Sequence, residues 1–355
     1  MSHEVLYRKY RPQSFDDVIG QDSVVKALQG AIASKAVAHA YLFAGSRGIG
    51  KTSIARIFAR EIGTTPNDIY EIDAASNRGI DDIRALRDAV AVLPFESKFK
   101  VYIIDEVHML TKEAFNALLK TLEEPPKHVV FILATTEVYK LPETIVSRCQ
   151  VFEFKRPTVD ILKDTVIAVA KKEGYALEPA AAELVALVGD GSFRDTHGVL
   201  ERVIAGLGAK SGKGAAKIAR EDVEEATGSP KAELVREFVG ALAAKDAAAA
   251  FAVIAKVKAK SFDPKLFLEL SLSLARLGLV QKIAGDKGTV IAQASEEDRA
   301  FIANILSDTS ASLDSKLVRG LLGAFDYIGS SPIRELPLEL ATLDIAGEKE
   351  RGLFA

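Results

Sequence analysis

Gly45-Ser46-Arg47-Gly48-Ile49-Gly50-Lys51-Thr52 has the spacing G-x-x-x-x-G-K-[ST]. Its chemistry is that of an anion cradle: glycines let the backbone curl until successive N–H groups, with the positive end of a following helix, face a phosphate. Lys51 then reaches the β- and γ-phosphates of ATP, the Thr52 hydroxyl ligates Mg2+, and Ser53 continues the segment into the helix. Val101-Tyr102-Ile103-Ile104-Asp105-Glu106 is an apolar run ending in two carboxylates, Asp105 to hold Mg2+ through water and Glu106 to orient and activate the attacking water. A third apolar run, Val129 to Ala134, ends in Thr135-Thr136-Glu137. A Thr136 hydroxyl beside the γ-phosphate can hydrogen-bond the attacking water, although β-branched residues at a strand end need no function.

These groups work only if they converge, and the pattern around them predicts how. Short apolar runs at Ala40 to Ala44, Ile69 to Ile72, Val101 to Ile104, Val129 to Ala134 and Val151 to Phe154 alternate with helical spacing, which predicts an α/β module: a parallel sheet with flanking helices over residues 1–157. After Arg156-Pro157 the β signal stops. Val159 to Glu173 and Pro179 to Val188 read as amphipathic helices of a small helical domain over 158–228, interrupted by a Gly/Lys/Ala loop at 206–216. Beyond Gly228-Ser229-Pro230 a third, all-α domain over 229–355 is expected, with helices at Ala232 to Ala259, Pro264 to Lys282, Glu296 to Leu306 and Asp314 to Tyr327. The Ala-rich run Ala241 to Ala255 is a strong helix former with Leu242, Phe251 and Ile254 as expected core, and Pro337 to Ala355 loses periodicity, as a tail does.

Composition narrows the classes. With 48% hydrophobic and 27% charged residues the chain is expected to fold rather than remain disordered. No apolar stretch approaches the length needed to span a bilayer and the first residues lack a signal core, so the expectation is a cytoplasmic protein without membrane contact. One cysteine, Cys149, excludes an internal disulfide and a multi-thiolate zinc site, and the five histidines lack ligand spacing. A net charge of −3 implies that any nucleic-acid contact comes from a local patch.

Further motifs carry a resemblance. Tyr7-Arg8-Lys9-Tyr10-Arg11-Pro12, Phe15 to Gln21, Asp105-Glu106-Val107-His108-Met109-Leu110-Thr111, Phe115 to Pro126 and Ser147-Arg148-Cys149 resemble the clamp-loader ATPases of the AAA+ class, most specifically the bacterial gamma/tau type of DNA polymerase III. The resemblance implies an AAA+ module, a helical lid and an all-helical collar that joins about five subunits in a ring: copies of this chain and companions of delta and delta-prime type. The implied work is ATP-driven opening of a sliding clamp and its loading on primer–template DNA, near the nucleoid. It also assigns residues. Arg148 would act in trans on a neighbour's γ-phosphate, since an always-charged planar donor stabilises charge spreading over the γ-oxygens; by itself Arg148 reads as an ordinary flanking charge. Arg194, in Gly191-Ser192-Phe193-Arg194-Asp195, would contact the nucleotide from the lid, and Tyr10, Arg11 and Pro12 would line the adenine pocket. DNA phosphates would meet helix N-termini, with Arg78 and Lys112 as basic candidates.

One departure is large. Gamma/tau subunits usually carry a four-cysteine zinc module after the P-loop helix, whereas here Glu61 to Asp68 passes directly to Ile69. Competing readings differ in class. A superfamily 2 helicase shares Asp105-Glu106-Val107-His108 but needs Q-x-x-G-R-x-x-R and a second such domain; a small-molecule kinase needs neither Ser147-Arg148-Cys149 nor two helical domains. A ring subunit using ATP only as an assembly switch does not need Glu106. A branch-migration motor is expected to carry a winged helix in place of the collar.

Overall fold

In the computed structural model, residues 4–77, 79–207, 216–284, 295–308 and 311–346 are described. They form two compact units: Met1–Leu162 with Gly189–Gly198, and Lys163–Val188 with Val199–Ala355.

The first unit is built on β1 (Ala40–Ala44), β2 (Ile69–Asp73), β3 (Lys100–Asp105), β4 (Val129–Thr135) and β5 (Gln150–Glu153), all parallel, in the order β2-β3-β4-β1-β5. Each expected strand is present, with ends differing by a residue or so. β1 and β4 are buried throughout, as central strands covered on both faces are. The edge strands β2 and β5 are only partly covered.

Side chains alternate between the two faces, and each face has its own core. Tyr41, Phe43, Val101, Ile103, Val130 and Ile132 pack with Leu28, Ile54, Ile57 and Phe58; these come from α2 (Asp22–Ala33) and α3 (Lys51–Glu61), which follow the short α1 (Leu6–Lys9). Leu42, Tyr102, Ile104, Phe131 and Leu133 pack with Ile83, Leu86, Phe115 and Leu118, from α4 (Ile80–Val90) and α5 (Lys112–Glu123); the short α6 (Glu143–Val146) adds Ile145. Tyr41 meets Phe58 edge-on at 4.8 Å on the first face, and Tyr102 stacks on Phe131 at 5.6 Å on the second.

Downstream lie α7 (Val159–Lys172), α8 (Pro179–Val188), α9 (Phe193–Leu207) and α10 (Arg220–Thr227), with a short parallel pair between β6 (Tyr175–Leu177) and β7 (Ala216–Ile218). The strand pair joins the helices expected here; three residues per strand are too few for a period-2 pattern to register. Residues 208–215 of the expected loop lie outside the described residues, as does Arg78.

Among the described residues, six helices complete the second unit: α11 (Ala232–Ala243), α12 (Ala247–Ala259), α13 (Pro264–Ala284), α14 (Glu296–Ser307), α15 (Ser315–Ile328) and α16 (Leu336–Ala346). The single helix expected over Ala232 to Ala259 is two. Lys245 adopts φ 56°, its N–H and that of Asp246 close back on Leu242 and Ala241, and the Asp246 carboxylate caps α12 through Ala249 N at 2.9 Å. Leu242 and Ile254 are core, as expected, while Phe251 is half-buried. The expected tail is helical as far as Ala346. Its periodicity is hidden because Leu338, Ala341 and Ile345 are buried while Leu340 and Leu343, also apolar, are exposed.

Arg236 ties these helices by charge, at 2.9 Å from Asp298 and 2.8 Å from Glu297. Arg220 pairs with Glu224 at 3.1 Å, and Glu224 accepts the N–H of Ala232 at the start of α11.

Candidate nucleotide site

β1 delivers the chain to Gly45, whose N–H donates to Thr135 O across the sheet. Gly45 has φ 149°, and a Cβ there would sit 2.7 Å from Phe154 O; Gly48 has φ 74°, and a Cβ there would collide with Ser192 Oγ. Only glycine suits both positions. Gly50 closes the loop at φ 105° and stands at the N-cap of α3, where it offers no side-chain cap to the first-turn N–H groups and no acidic residue occupies the first turn. Those donors and the helix dipole are therefore directed at an anion, which fits a phosphate.

Lys51 opens α3, only 5% exposed. Its Nζ curls over the loop and donates to Gly45 O at 2.7 Å and Ser46 O at 2.8 Å. Burial pushes its pKa down, against the pull of Glu106 and Asp105. A buried ammonium satisfied only by neutral carbonyls gains most from an anionic partner. Ile49 is buried beneath the loop, and Arg47 is exposed at its apex.

Thr52 Oγ1 donates to Asp105 Oδ2 at 2.7 Å, joining the P-loop helix to the end of β3. A hydroxyl and a carboxylate oxygen at one point are hard donors, the set that Mg2+ prefers. Glu106 follows in the left-handed conformation, φ 48° and ψ 44°. Its Oε2 accepts from Thr136 N at 3.3 Å and Thr136 Oγ1 at 3.0 Å. The parallel register explains this meeting, since Ile104 pairs with Leu133 and both strands end at the same edge of the sheet.

The other expected residues divide. Arg11 Nε donates to Ser53 Oγ at 2.8 Å, which brings the segment after α1 onto the first turn of α3. Burial lowers the Arg11 pKa, and Arg56 adds to this. Tyr10 lies beneath the Lys9 ammonium, 5.5 Å from ring centre to Nζ, and Pro12 follows Arg11 in the same irregular segment. Arg194 N donates to Gly48 O at 3.4 Å and its guanidinium stands 6.0 Å from the Tyr7 ring, so the turn carrying Arg194 packs on the P-loop apex. Ser192 caps that turn through Asp195 N at 3.2 Å, and Arg156 binds Asp190 Oδ1 at 2.6 Å just before it.

Arg148 stands apart. It precedes β5, whose Gln150 pairs with Tyr41 near the start of β1, whereas the P-loop leaves the other end of β1. The strand between puts these two points about 10 Å apart or more. The Arg148 guanidinium donates to Thr144 O at 2.8 Å and Glu123 Oε1 at 2.7 Å. Lys112, exposed at the start of α5, is likewise outside the cluster. Sequence reading missed Ser192, Glu123, His108 and Glu137. Each lies within or beside a quoted motif, yet its partner is distant in the chain.

The family model described as DNA polymerase III, delta subunit matches residues 20–71 and 63–158. The DNA polymerase III subunit tau of Bacillus subtilis is 47% identical over 226 residues, 58% of this chain and 40% of the relative. The subunit tau of Escherichia coli is 39% identical over 303 residues, 79% of this chain and 46% of the relative. The gamma/tau subunit of Mycobacterium bovis is 38% identical over 320 residues, 83% and 54% respectively. The chain thus spans about half the length of the curated relatives it matches. Among solved structures, the RuvB Holliday junction branch migration motor of Thermotoga maritima aligns with a TM-score of 0.53 and 27% identity over 66% of this chain and 79% of that one. The sheet is that of an AAA+ ATPase, the class of the branch migration motor it aligns with, and in sequence the chain is similar to the tau and gamma/tau subunits of DNA polymerase III.

Proposed function

We propose that this chain binds and hydrolyses ATP as a clamp-loader subunit, opening a sliding clamp and placing it on primer–template DNA. The observation that carries the reading is the convergence of Lys51, Thr52, Asp105, Glu106 and Thr136 at one edge of the sheet. In this reading the α3 N–H groups and Lys51 bind the phosphates, Thr52 and Asp105 hold Mg2+, and Arg194 and Arg11 flank the nucleotide. When bound, the metal neutralises charge on the phosphate oxygens. Glu106, kept against Thr136, takes the proton of the attacking water.

Arg148 serves a neighbouring subunit's nucleotide, a role supported by its place away from its own P-loop. Residues 158–228 act as the lid and 229–355 as the collar of a ring of about five, with delta- and delta-prime-type companions. Exposed apolar side chains on α15 and α16, Leu322, Tyr327, Leu340 and Leu343, suit such assembly. For the clamp, the segment between α4 and β3 offers Val92, Leu93 and Phe95, exposed by 61, 72 and 81%. Work on the nucleoid in the cytoplasm accords with the absence, among the described residues, of any helix long and apolar enough to cross a membrane.

The likeness to a branch-migration motor supports a second reading of the same ATP site. Against it, the described residues from 232 to 346 form helices α11 to α16 and contain no strand. Steady-state ATP turnover separates the two. The loader reading expects stimulation by clamp and primed DNA together beyond either alone; stimulation by a four-way junction with indifference to the clamp contradicts it.

A further inference from the structure

Behind the carboxylate assigned to water activation lies a buried imidazole that the nucleotide reading does not use. His108 belongs to the single 3-10 turn Val107–Met109 directly after Glu106, its side chain 6% exposed. Nδ1 is 3.0 Å from Thr135 Oγ1 and 3.5 Å from Glu106 Oε2. Nε2 is 2.9 Å from Glu137 Oε2, a carboxylate oxygen with no proton to give in its ionised form, so Nε2 is the donor there. Glu137 is held in turn: its oxygens accept from Tyr139 OH at 2.6 Å and Lys140 Nζ at 2.9 Å, and its own N–H donates to Thr135 Oγ1 at 3.0 Å. The imidazole therefore spans the two strand ends that carry Glu106 and Thr136. Glu106 has a left-handed backbone that a non-glycine residue keeps only when its surroundings enforce it.

We propose that His108, anchored by Glu137, is a positioning residue for hydrolysis: it braces the turn carrying Glu106 against the end of β4, so that the Glu106 carboxylate and the Thr136 hydroxyl keep their relative placement. The inference rests on the reading of Glu106 and Thr136 given above. Among the described residues the hydrogen-bond partners of His108 are Thr135 and Glu137, not the P-loop or the Thr52–Asp105 pair, so its removal acts on turnover more than on nucleotide binding. A group that sets the aim of a water-activating carboxylate matters at the sub-ångström level, where small misplacements slow a reaction strongly.

The test measures ATP turnover and, separately, affinity for a fluorescent ATP analogue, in the assembled complex with Mg2+ present. His108→Ala is expected to lower kcat about 10- to 100-fold, with analogue affinity within about twofold of the unaltered chain. His108→Asn, whose amide reaches Thr135 from the Nδ1 position, recovers part of the loss. Glu137→Gln, which keeps an acceptor for Nε2, loses less than Glu137→Ala. Equal loss of affinity and turnover, or turnover within about twofold of the unaltered chain, overturns the inference. Should His108→Ala fail to fold by circular dichroism, the His108→Asn and Glu137 variants decide by the same criteria. If the unaltered chain turns over no ATP, the hydrolysis reading itself fails, a result distinct from a silent His108 variant beside an active parent.

Discussion

Lys51 and Arg148 are both cations proposed for phosphate chemistry, and their surroundings suit them to different duties. Lys51 is buried and folded over its own loop, so Lys51→Ala should abolish or strongly weaken nucleotide affinity. Arg148 is tied to Glu123 at the far end of the strand, so Arg148→Ala should leave affinity within about twofold and suppress turnover by about 1000-fold or more; equilibrium binding of a fluorescent ATP analogue, beside turnover, checks both. A third prediction concerns His197, 6% exposed, with Nε2 lacking a partner among the described residues. Burial pushes its pKa down to about 4 from 6.5. The folded chain thus resists a proton that the unfolded chain accepts, so stability is full above pH 6.5 and falls as the pH drops from there toward 4. Between pH 7.5 and 5 the loss from this group is roughly 2 kcal/mol, and His197→Leu should remove that part of the pH dependence in denaturant titrations. At this scale the sequence was legible where chemistry is local: spacing alone joins Lys51 to Thr52 and Asp105 to Glu106. Glu123, Ser192 and His108 were not legible, because each acquires its meaning from a partner that only the fold brings near.

The strands were readable because parallel, doubly covered strands are continuous apolar runs, which β1 and β4 are. The break between α11 and α12 was not, since Ala-rich propensity outweighed the one local signal against it, an Asp at position 246 able to cap a new helix. A similar local device holds the segment before β3. Asp68 is fully buried, and burial alone would raise its pKa; the N–H groups of Glu96, Phe95 and Ser97 and the Ser97 hydroxyl bring it down to about 2. Because the folded value lies below the ordinary one, this carboxylate stabilises the fold above about pH 4 and the contribution disappears as the pH falls toward 2. Asp68→Ala leaves three backbone N–H groups without their acceptor and should destabilise the first unit by about 2–3 kcal/mol at neutral pH, read from thermal or denaturant unfolding. The same variant should loosen the exposed Leu93 and Phe95, so hydrogen exchange at residues 92–97 should accelerate beyond the change elsewhere.

For the whole molecule, the account depends on a site shared between subunits. On this account each chain offers its proposed phosphate and metal ligands at one edge of its sheet and a guanidinium away from it. Complementation tests this most directly. On this account, chains carrying Glu106→Gln keep Arg148 but should fail to activate water; chains carrying Arg148→Ala keep Glu106 but should lend no guanidinium. Each variant, assembled with its companion subunits, clamp and primed DNA, should turn over ATP at no more than about 1% of the unaltered rate. Co-assembled, they should recover turnover well above either alone, because an Arg148→Ala site beside a Glu106→Gln neighbour is again complete. No recovery at any mixing ratio, or full turnover by Arg148→Ala alone, would contradict the account.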